Sequence, residues 1–573
     1  MARGVREIGS SFRPPRRTPY LIFQALALAL APSLLSQPTE ADTTQVRPPI
    51  IDTVIVQVNT IYSEEEAQEN FAQTFMNKLH IRTRDDVVWA ELLFFQGEPY
   101  DSAHVAETER NLRNTLLFRL VEIDTLRVDD KFAVHVQTWD AWTTEPTIDI
   151  GVASDGTTTL DAGLTEYNLL GGGNTVGALY RKEVDRAGLE ITGSFPRVFR
   201  SPLDVSGSVS FFDDGNWGDW KVGKPFRAYR DQRSLLYDGE AADRRILQFV
   251  ATDVNLDTIP FQRRAFINRL EGGVATIETS KRYLRFGGTG EIRREEYLQT
   301  PDTLGLVPDT VTGTIGGYVD YSIANFEVVR YLNGFTEEDL DLSVGILLSA
   351  KVAPEAFGWE TSGVGPKIDF RGGTHVGDGY FKGRIEANAL FNGAGLDSGR
   401  VVLTATVAQR FGKKHVTVLH LTGGIQKDPA PGGEFDLGFE TPPRGFPPHA
   451  FVGTRSARGT LEHTWYWLDD LFGWELFGLG FAGFLDYGGA WYDFQNARAG
   501  GNVGAGIRLG MTAGQGAGTL RIDFAYLWGD GIPERSGGNR FAISIGPSFF
   551  YWRVAFANPR SQRGGIRRWG QRT

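Results

Sequence analysis

The chain of 573 residues contains no cysteine, so neither disulfides nor thiolate metal sites can organise it. It has only one long apolar helical run, Tyr20 to Leu35, which excludes a bundle of membrane-crossing helices. Its eight histidines are scattered, and neither an HExxH pattern nor a nucleophile elbow occurs. No catalytic, cofactor-binding or metal-ligating residue is therefore nominated. His463 falls on the apolar face of its strand, a poor place for a catalyst. A net charge of −11 argues against a nucleic-acid partner.

What the sequence does contain is glycine and aromatic residues: 70 Gly, 13 Trp, 18 Tyr and 38 Phe. Aromatics suit the two interfacial girdles of a membrane barrel, and glycine suits crowded turns and narrow inner faces. Between Glu475 and Tyr487 one strand face reads Phe477, Leu479, Phe481, Leu485, Tyr487. The other reads Gly478, Gly480, Ala482, Asp486, with Phe484 the one large exception. Successive side chains of a strand point to opposite faces, so the apolar row and the small or charged row separate. Leu520 to Trp528 against Arg521 and Asp523, Val503 to Leu509 against Arg508, and Leu284 to Ile292 against Arg285 and Glu291 repeat the pattern. This is the pattern of an all-β transmembrane barrel. From Thr147 to Trp552, at roughly 25 residues per strand and turn, about sixteen antiparallel strands are expected. Asp213 to Asp243, Glu295 to Thr310 and Gln426 to Pro448 are polar or rich in Pro and Gly and are expected as loops. Parity turns Asp486 into the lumen, together with Arg458, Glu462 and Arg508 on strands to either side.

Arg13, Arg16 and Arg17 precede the apolar run, and Ser36 or Ala41 offers a small cleavage residue, so residues 1–41 read as a signal peptide and 42–49 as a linker. An exported barrel needs an outer membrane as its destination. Residues 50–145 have a different pattern. Ile51 to Val58 reads as a strand, Arg84 to Phe95 as a helix stopped by Gly97, and Ala103 to Leu116 as a second helix capped by Asp101 or Ser102. Two strands, Leu120 to Val128 and Phe132 to Thr138, complete a small α+β domain. Residues 61–81 form an insertion without an assigned role, and Glu64 to Glu66 reads as a solvated face. At the other end, Phe541 to Phe550 reads as a closing strand, in which Pro547 removes one ladder donor and Phe549 and Phe550 supply an aromatic end. The tail 553–573 carries six Arg and no acid.

Three stretches, Glu91 to Asp101, Glu107 to Arg113 and Phe118 to Ile123, resemble a POTRA domain, the periplasmic module of the BamA/TamA outer-membrane protein assembly superfamily. Thr165 to Gly173 resembles that family's first barrel hairpin. Arg444-Gly445-Phe446 resembles its Arg-Gly-Phe/Tyr loop motif, and Phe484-Leu-Asp486-Tyr-Gly488 its Phe-x-Asp-x-Gly strand motif. Glu462 and Gly504-x-Gly-x-Arg508 resemble the neighbouring inward motifs. The resemblance implies a loop folded into the lumen and locked there by Arg444 on Asp486, a periplasmic POTRA domain, and a seam between first and last strands that opens. It also implies unfolded outer-membrane or secreted protein clients taken up by strand addition, contact with outer-membrane lipids, and periplasmic or lipoprotein partners. The implied function is insertion, assembly or translocation of proteins at the outer membrane. A two-partner-secretion-type transporter and a lipid or lipoprotein exporter are the alternatives. A passive porin explains the barrel but not the domain before it.

Overall fold

The computed structural model describes residues 48–548, apart from 130, 252–255, 280, 299–307, 439–440, 513–518 and 533–538. The signal-peptide and basic-tail expectations, and Phe549 and Phe550, lie outside the described residues.

The chain after residue 50 begins with a strand, four short helices and two strands: β1 (Thr53–Asn59), α1 (Glu64–Glu69), α2 (Phe71–Leu79), α3 (Asp85–Trp89), α4 (Ser102–Asn114), β2 (Phe118–Val128) and β3 (Lys131–Asp140). The sheet order is β1-β3-β2, with β1 parallel and β2 antiparallel to the central β3. Asp101 caps α4 by accepting from the Ala103 amide at 2.8 Å. Val105 and Leu112 of α4 meet Val88, Phe118, Val134 and Val136 in the core. The first expected helix is shorter than its periodicity suggested, because after Trp89 the chain leaves the helix and buries Leu92 and Phe94 from an irregular segment. The insertion at 61–81 forms α1 and α2.

Twenty strands then close an antiparallel barrel. The first are β4 (Thr144–Val152), β5 (Thr158–Leu169), β6 (Asn174–Lys182), β7 (Ala187–Phe195), β8 (Asp204–Phe212), β9 (Gly215–Lys224) and β10 (Arg233–Ala251). Next come β11 (Leu256–Glu278), β12 (Arg282–Leu298) and β13 (Thr310–Ile323), a small hairpin β14 (Phe326–Arg330) and β15 (Glu337–Asp341), then β16 (Val344–Ala353), β17 (Gly363–Val376), β18 (Gly379–Asn392), β19 (Gly395–Phe411) and β20 (His415–Lys427). A second small pair, β21 (Phe435–Leu437) and β22 (Phe451–Gly453), precedes β23 (Arg455–Leu468), β24 (Phe477–Trp491), β25 (Gly500–Met511), β26 (Leu520–Gly529) and β27 (Phe541–Pro547). β27 returns to β4 and closes the wall.

The count of twenty corrects the expected sixteen. The polar stretch Asp213 to Asp243 contains β9 and half of β10. Its acids are paired across the sheet: Asp219 with Ser208, and Glu240 with Arg263 of β11 at 3.2 Å. Glu295 likewise belongs to β12 and takes Arg263 at 2.5 Å. Hydropathy alone hid these strands because their polar rows satisfy one another inside. Thr165 to Gly173 is not the first hairpin either, since β4 precedes it; it ends β5 and turns into β6. That turn meets the α+β unit, where Asn168 Nδ2 donates to Thr83 Oγ1 at 2.9 Å and the Arg84 amide donates to Gly171 O at 3.0 Å. A Cβ on Gly171, whose φ is +70°, would lie 2.5 Å from Arg82 O.

The outward rows are apolar and bare: Phe481, Leu485, Tyr487, Val503, Phe524, Tyr526 and Ile543 are exposed, whereas their neighbours Ala482, Asp486, Asp523 and Ala525 are buried. A continuous apolar belt of this size on a closed barrel suits hydrocarbon rather than water. Among the described residues no helix is long and apolar enough to cross a membrane.

The β14–β15 hairpin leaves the barrel end that carries the α+β unit and lies inside the lumen. Val329, Leu332, Phe335 and Leu340 pack on Tyr380, Ala408, Val416, Val418 and Tyr466 of the inner wall. Gly478 and Gly510 make room for Phe335, whose ring atoms would lie 2.3 and 2.5 Å from a Cβ at those positions. The hairpin is tied to α4 by a bidentate pair, Arg113 Nε and Nη2 to Asp339 at 3.0 and 2.8 Å, and by Arg110 3.9 Å from the Phe326 ring. Arg113→Ala is expected to loosen the hairpin while leaving the barrel closed. Faster proteolysis within residues 326–341, with unchanged heat-modifiable gel mobility, is the measurement that checks it.

Candidate functional site

The connection from β20 to β23 enters the lumen from the opposite end. It turns at Gly445 (φ +78°), where a Cβ would lie 2.5 Å from the Ala542 Cβ of β27, so glycine is required for the approach. Phe446 is fully buried beside Phe451, Phe484, Ala525, Leu527 and Ala542. The segment expected as a polar loop, Gln426 to Pro448, begins in the last residues of β20 and then supplies a folded plug whose β21 pairs with β22 just after it.

Arg444, 2% exposed, lies at the centre of the plug contacts. Its Nε donates to Asp486 Oδ2 at 2.9 Å and Nη2 to Asp486 Oδ1 at 3.2 Å. Nη1 donates to Asp523 Oδ2 and Nη2 to Glu462 Oε2, each at 2.9 Å. The guanidinium carbon stands 3.8 Å from the Phe484 ring. Arg508 closes the ring of charges, donating to Asp523 Oδ1 at 2.6 Å and Glu462 Oε1 at 2.8 Å. Arg521 adds a third cation, 3.1 Å from Asp523. Three arginines thus face three carboxylates. Asn502 Nδ2 donates to Arg444 O and Asp486 Oδ2 at 2.9 and 3.0 Å, which fixes the backbone of the motif as well as its side chain. One partner removed from such a site leaves a buried charge unpaired, a loss of about 3–5 kcal/mol. Lys in place of Arg444 has a single ammonium and cannot span three carboxylates from one plane.

The parity rule places Glu462, Asp486 and Arg508 in one cluster with Arg444. Arg458 lies half-buried on the same inner row, opposite Gly488. The sequence reading omitted Asp523, Arg521, Asn502 and Phe484 from the site. Asp523 and Arg521 had already appeared on the polar side of their strand, and Phe484 was the large residue out of place on a small-residue row; that misfit was the available signal for a ring under the guanidinium. Asn502 gave none. His463 points outward and is exposed, beside Thr417 and His415. Among the described residues there is no cluster of His, Cys, Asp and Glu that could hold a metal ion.

The plug also reaches the joint between first and last strands, touching Ala542 of β27 and the turn after β4. Gly445 O accepts from the Ser154 amide, two residues past β4, at 3.2 Å. Arg521 donates to Ser544 Oγ at 2.6 Å and to Pro547 O at 3.0 Å, both on β27. Pro547 itself stands opposite Leu520 of β26 and outside the β27–β4 ladder. That ladder has three described pairs, Ile543↔Val152, Ser544↔Gly151 and Ile545↔Ile150. β26 and β27 share seven, Leu520↔Pro547 to Tyr526↔Phe541.

A second clamp holds the plug nearer the far rim. His449 bonds Asp436 at 2.6 Å through Nδ1 and Asp185 at 3.0 Å through Nε2. Partial burial disfavours the imidazolium, but the two carboxylate hydrogen bonds outweigh it and push the pKa up to about 10. The same hydrogen bond holds Asp185 below the usual carboxylate range.

The sequence matches no protein-family model, and comparison with curated proteins gives no match. Among solved structures, the chain is similar to CdiB from Escherichia coli (TM-score 0.44, 11% identity, 92% of this chain and 96% of that one). It is also similar to CdiB from Acinetobacter baumannii (0.43, 10%, 88% and 74%) and to BamA from Haemophilus ducreyi lacking POTRA domains 1–3 (0.37, 11%, 87% and 85%).

Two outcomes follow. Arg444→Ala should release the plug, read as rapid proteolysis within residues 428–454 of a barrel that remains folded, and Arg444→Lys should restore only part of the protection. For His449 the folded pKa lies above the unfolded value of about 6.5, so its contribution is complete below that pH and is lost as pH rises through about 10. Plug protection should therefore hold at neutral pH and fall near pH 10. His449→Asn should flatten that profile, which proteolysis across the pH series would reveal.

Proposed function

We propose that this protein is an outer-membrane barrel of the BamA/TamA type that assists insertion of client proteins, received by its α+β unit acting as a single POTRA domain. The observation that carries the reading is that the Arg444 plug is bonded into the wall beside the barrel's shortest described joint, touching Ala542 of the last strand and the turn that follows the first. A ladder hydrogen bond contributes about 0.5–1.5 kcal/mol net, so a three-pair joint separates at less cost than its neighbours. In hydrocarbon the freed N–H and C=O groups demand new partners, and an incoming strand supplies them. The β27–β4 joint is thus the place where the wall most readily accepts another strand.

The α+β unit supports the first step. In the order β1-β3-β2, β2 pairs only with β3 among the described residues, so its outer edge is free to take an extended chain. α4 carries that unit's contact with the lumen hairpin through Arg113 and Asp339. Export through the lumen, the route of a secretion transporter, would require both the hairpin and the Arg444 plug to leave their ion pairs. A lateral route requires only the joint to part. The lateral reading therefore asks less of the fold.

The absence of cysteine makes the joint testable. Gly151→Cys with Ser544→Cys places two thiols opposite each other across the β27–β4 ladder. Oxidation should abolish assembly of other outer-membrane barrels in cells that depend on this protein, and a reductant should restore it. Full assembly activity with the disulfide quantitatively formed would refute the lateral route. Loss of one secreted protein, with all other barrels intact, would instead identify a dedicated transporter.

A further inference from the structure

The insertion at 61–81 is rigidly mounted. Ile61, Tyr62, Ala67 and Met76 are buried together with Leu476 of the β23–β24 turn, and Phe477 packs against them. Tyr62 Oη donates to Glu475 O and Asn70 Nδ2 to Gly473 O, each at 3.1 Å. Phe477 begins the outward row of β24 that continues through Leu479 and Phe481, so α1 and α2 stand against the outside of the wall rather than under the lumen.

The free face of α2 is apolar. Phe71, Phe75 and Leu79, spaced four apart, are 85%, 51% and 57% exposed. Gln73, by contrast, is buried beneath the helix, 3.4 Å from Glu475. Met76 and Ala72 pack on the other side, so α2 carries a second apolar face that a helix packed on a protein does not ordinarily turn to water. The apolar surface does not stop at the helix. Phe472 and Trp474 on the turn are exposed with their rings 5.3 Å apart. Trp465, Trp467 and Phe481 continue it on the wall, with ring centroids 5.9 to 6.2 Å apart. Asn70 joins the helix to the turn at Gly473 O, and the turn connects β23 and β24, the two strands that carry the wall aromatics. Lys78 lies on the exposed side of α2, with a stem long enough to carry its ammonium to a headgroup.

We propose that α2, with Phe472 and Trp474 beside it, is an interfacial membrane anchor, lying in the headgroup layer of the leaflet at the α+β end and binding phospholipid. The continuity with the lipid-facing aromatic girdle selects a bilayer as the occupant. An amphipathic helix lies in the interface with its apolar side groups in the acyl boundary, and Trp and Phe are suited to that depth. The anchor fixes the α+β unit against the membrane next to β23 and β24, and Arg119 of β2 ties the unit's sheet to it through Ile61 O at 2.7 Å. The inference rests on the barrel reading but not on any client.

The test uses the full chain, whose lack of cysteine permits single labels. Phe71→Cys, Phe75→Cys and Leu79→Cys would each carry a nitroxide in vesicles of phosphatidylethanolamine and phosphatidylglycerol, with Val503→Cys on the wall and Thr125→Cys on β2 as controls. Heat-modifiable mobility selects folded protein. Collision with oxygen exceeding collision with a water-soluble nickel chelate at all three helix positions and at Val503, with the reverse at Thr125, is the expected result. Nickel-dominated collisions on α2 while Val503 remains in lipid would overturn the anchor and leave the barrel reading standing. Nickel-dominated collisions at Val503 would remove the barrel reading and the anchor with it. Shielding of α2 that appears only when client protein is added, or only at high protein-to-lipid ratio, would assign the face to a protein and also overturn the proposal.

Discussion

A guanidinium buried inside a barrel must find acceptors for its donors, and Arg444 finds them on three strands at once: Glu462 on β23, Asp486 on β24 and Asp523 on β26. β23 to β26 are successive neighbours in the wall, and their antiparallel register brings the three acids to the place where the plug is held. Arg508 and Arg521 balance the remaining carboxylate charge, which makes a cluster this dry tolerable. Much of the local architecture follows from that demand. Gly445 brings the loop close to β27, Phe484 gives the cation a ring to rest on, and Asn502 fixes the backbone carbonyl beside it.

The lumen is thus occupied from two directions by segments held in different ways. The far-end plug uses Arg444 on carboxylates of the wall. The near-end hairpin uses apolar packing inside and one bidentate pair, Arg113 with Asp339, to the α+β unit. The hairpin depends on one bidentate pair and its apolar packing, whereas the plug is held by a cluster of three arginines and three carboxylates. The α+β unit meets the lumen through α4 and this hairpin, and meets the wall at the Gly171 turn.

Alternation was enough to read the wall, because a strand's two faces meet different solvents and the side chains must sort accordingly. It was enough to aim Glu462, Asp486 and Arg508 inward. It failed at β9, β10 and β12, where Asp219, Glu240 and Glu295 look like loop residues until their partners Ser208 and Arg263 are seen across the sheet. Polarity in a segment says that partners are needed; it does not say whether water or a neighbouring strand provides them. The same limit applied to residues 61–81, whose helices pack on a turn about four hundred residues later in the chain.

By itself the sequence determined the all-β barrel, the separate α+β unit before it, the absence of disulfides and the polarity of the inner rows, since composition and period are local properties. Strand number, the meeting of Arg444 with three carboxylates rather than one, the short β27–β4 ladder and the outward aromatic face of α2 were decided only by tertiary structure. Each depends on contacts between segments far apart in the sequence or on register across the sheet. Closure is imposed by the need to pair every backbone group in lipid, and one strand's sequence carries no record of the partner that closure gives it.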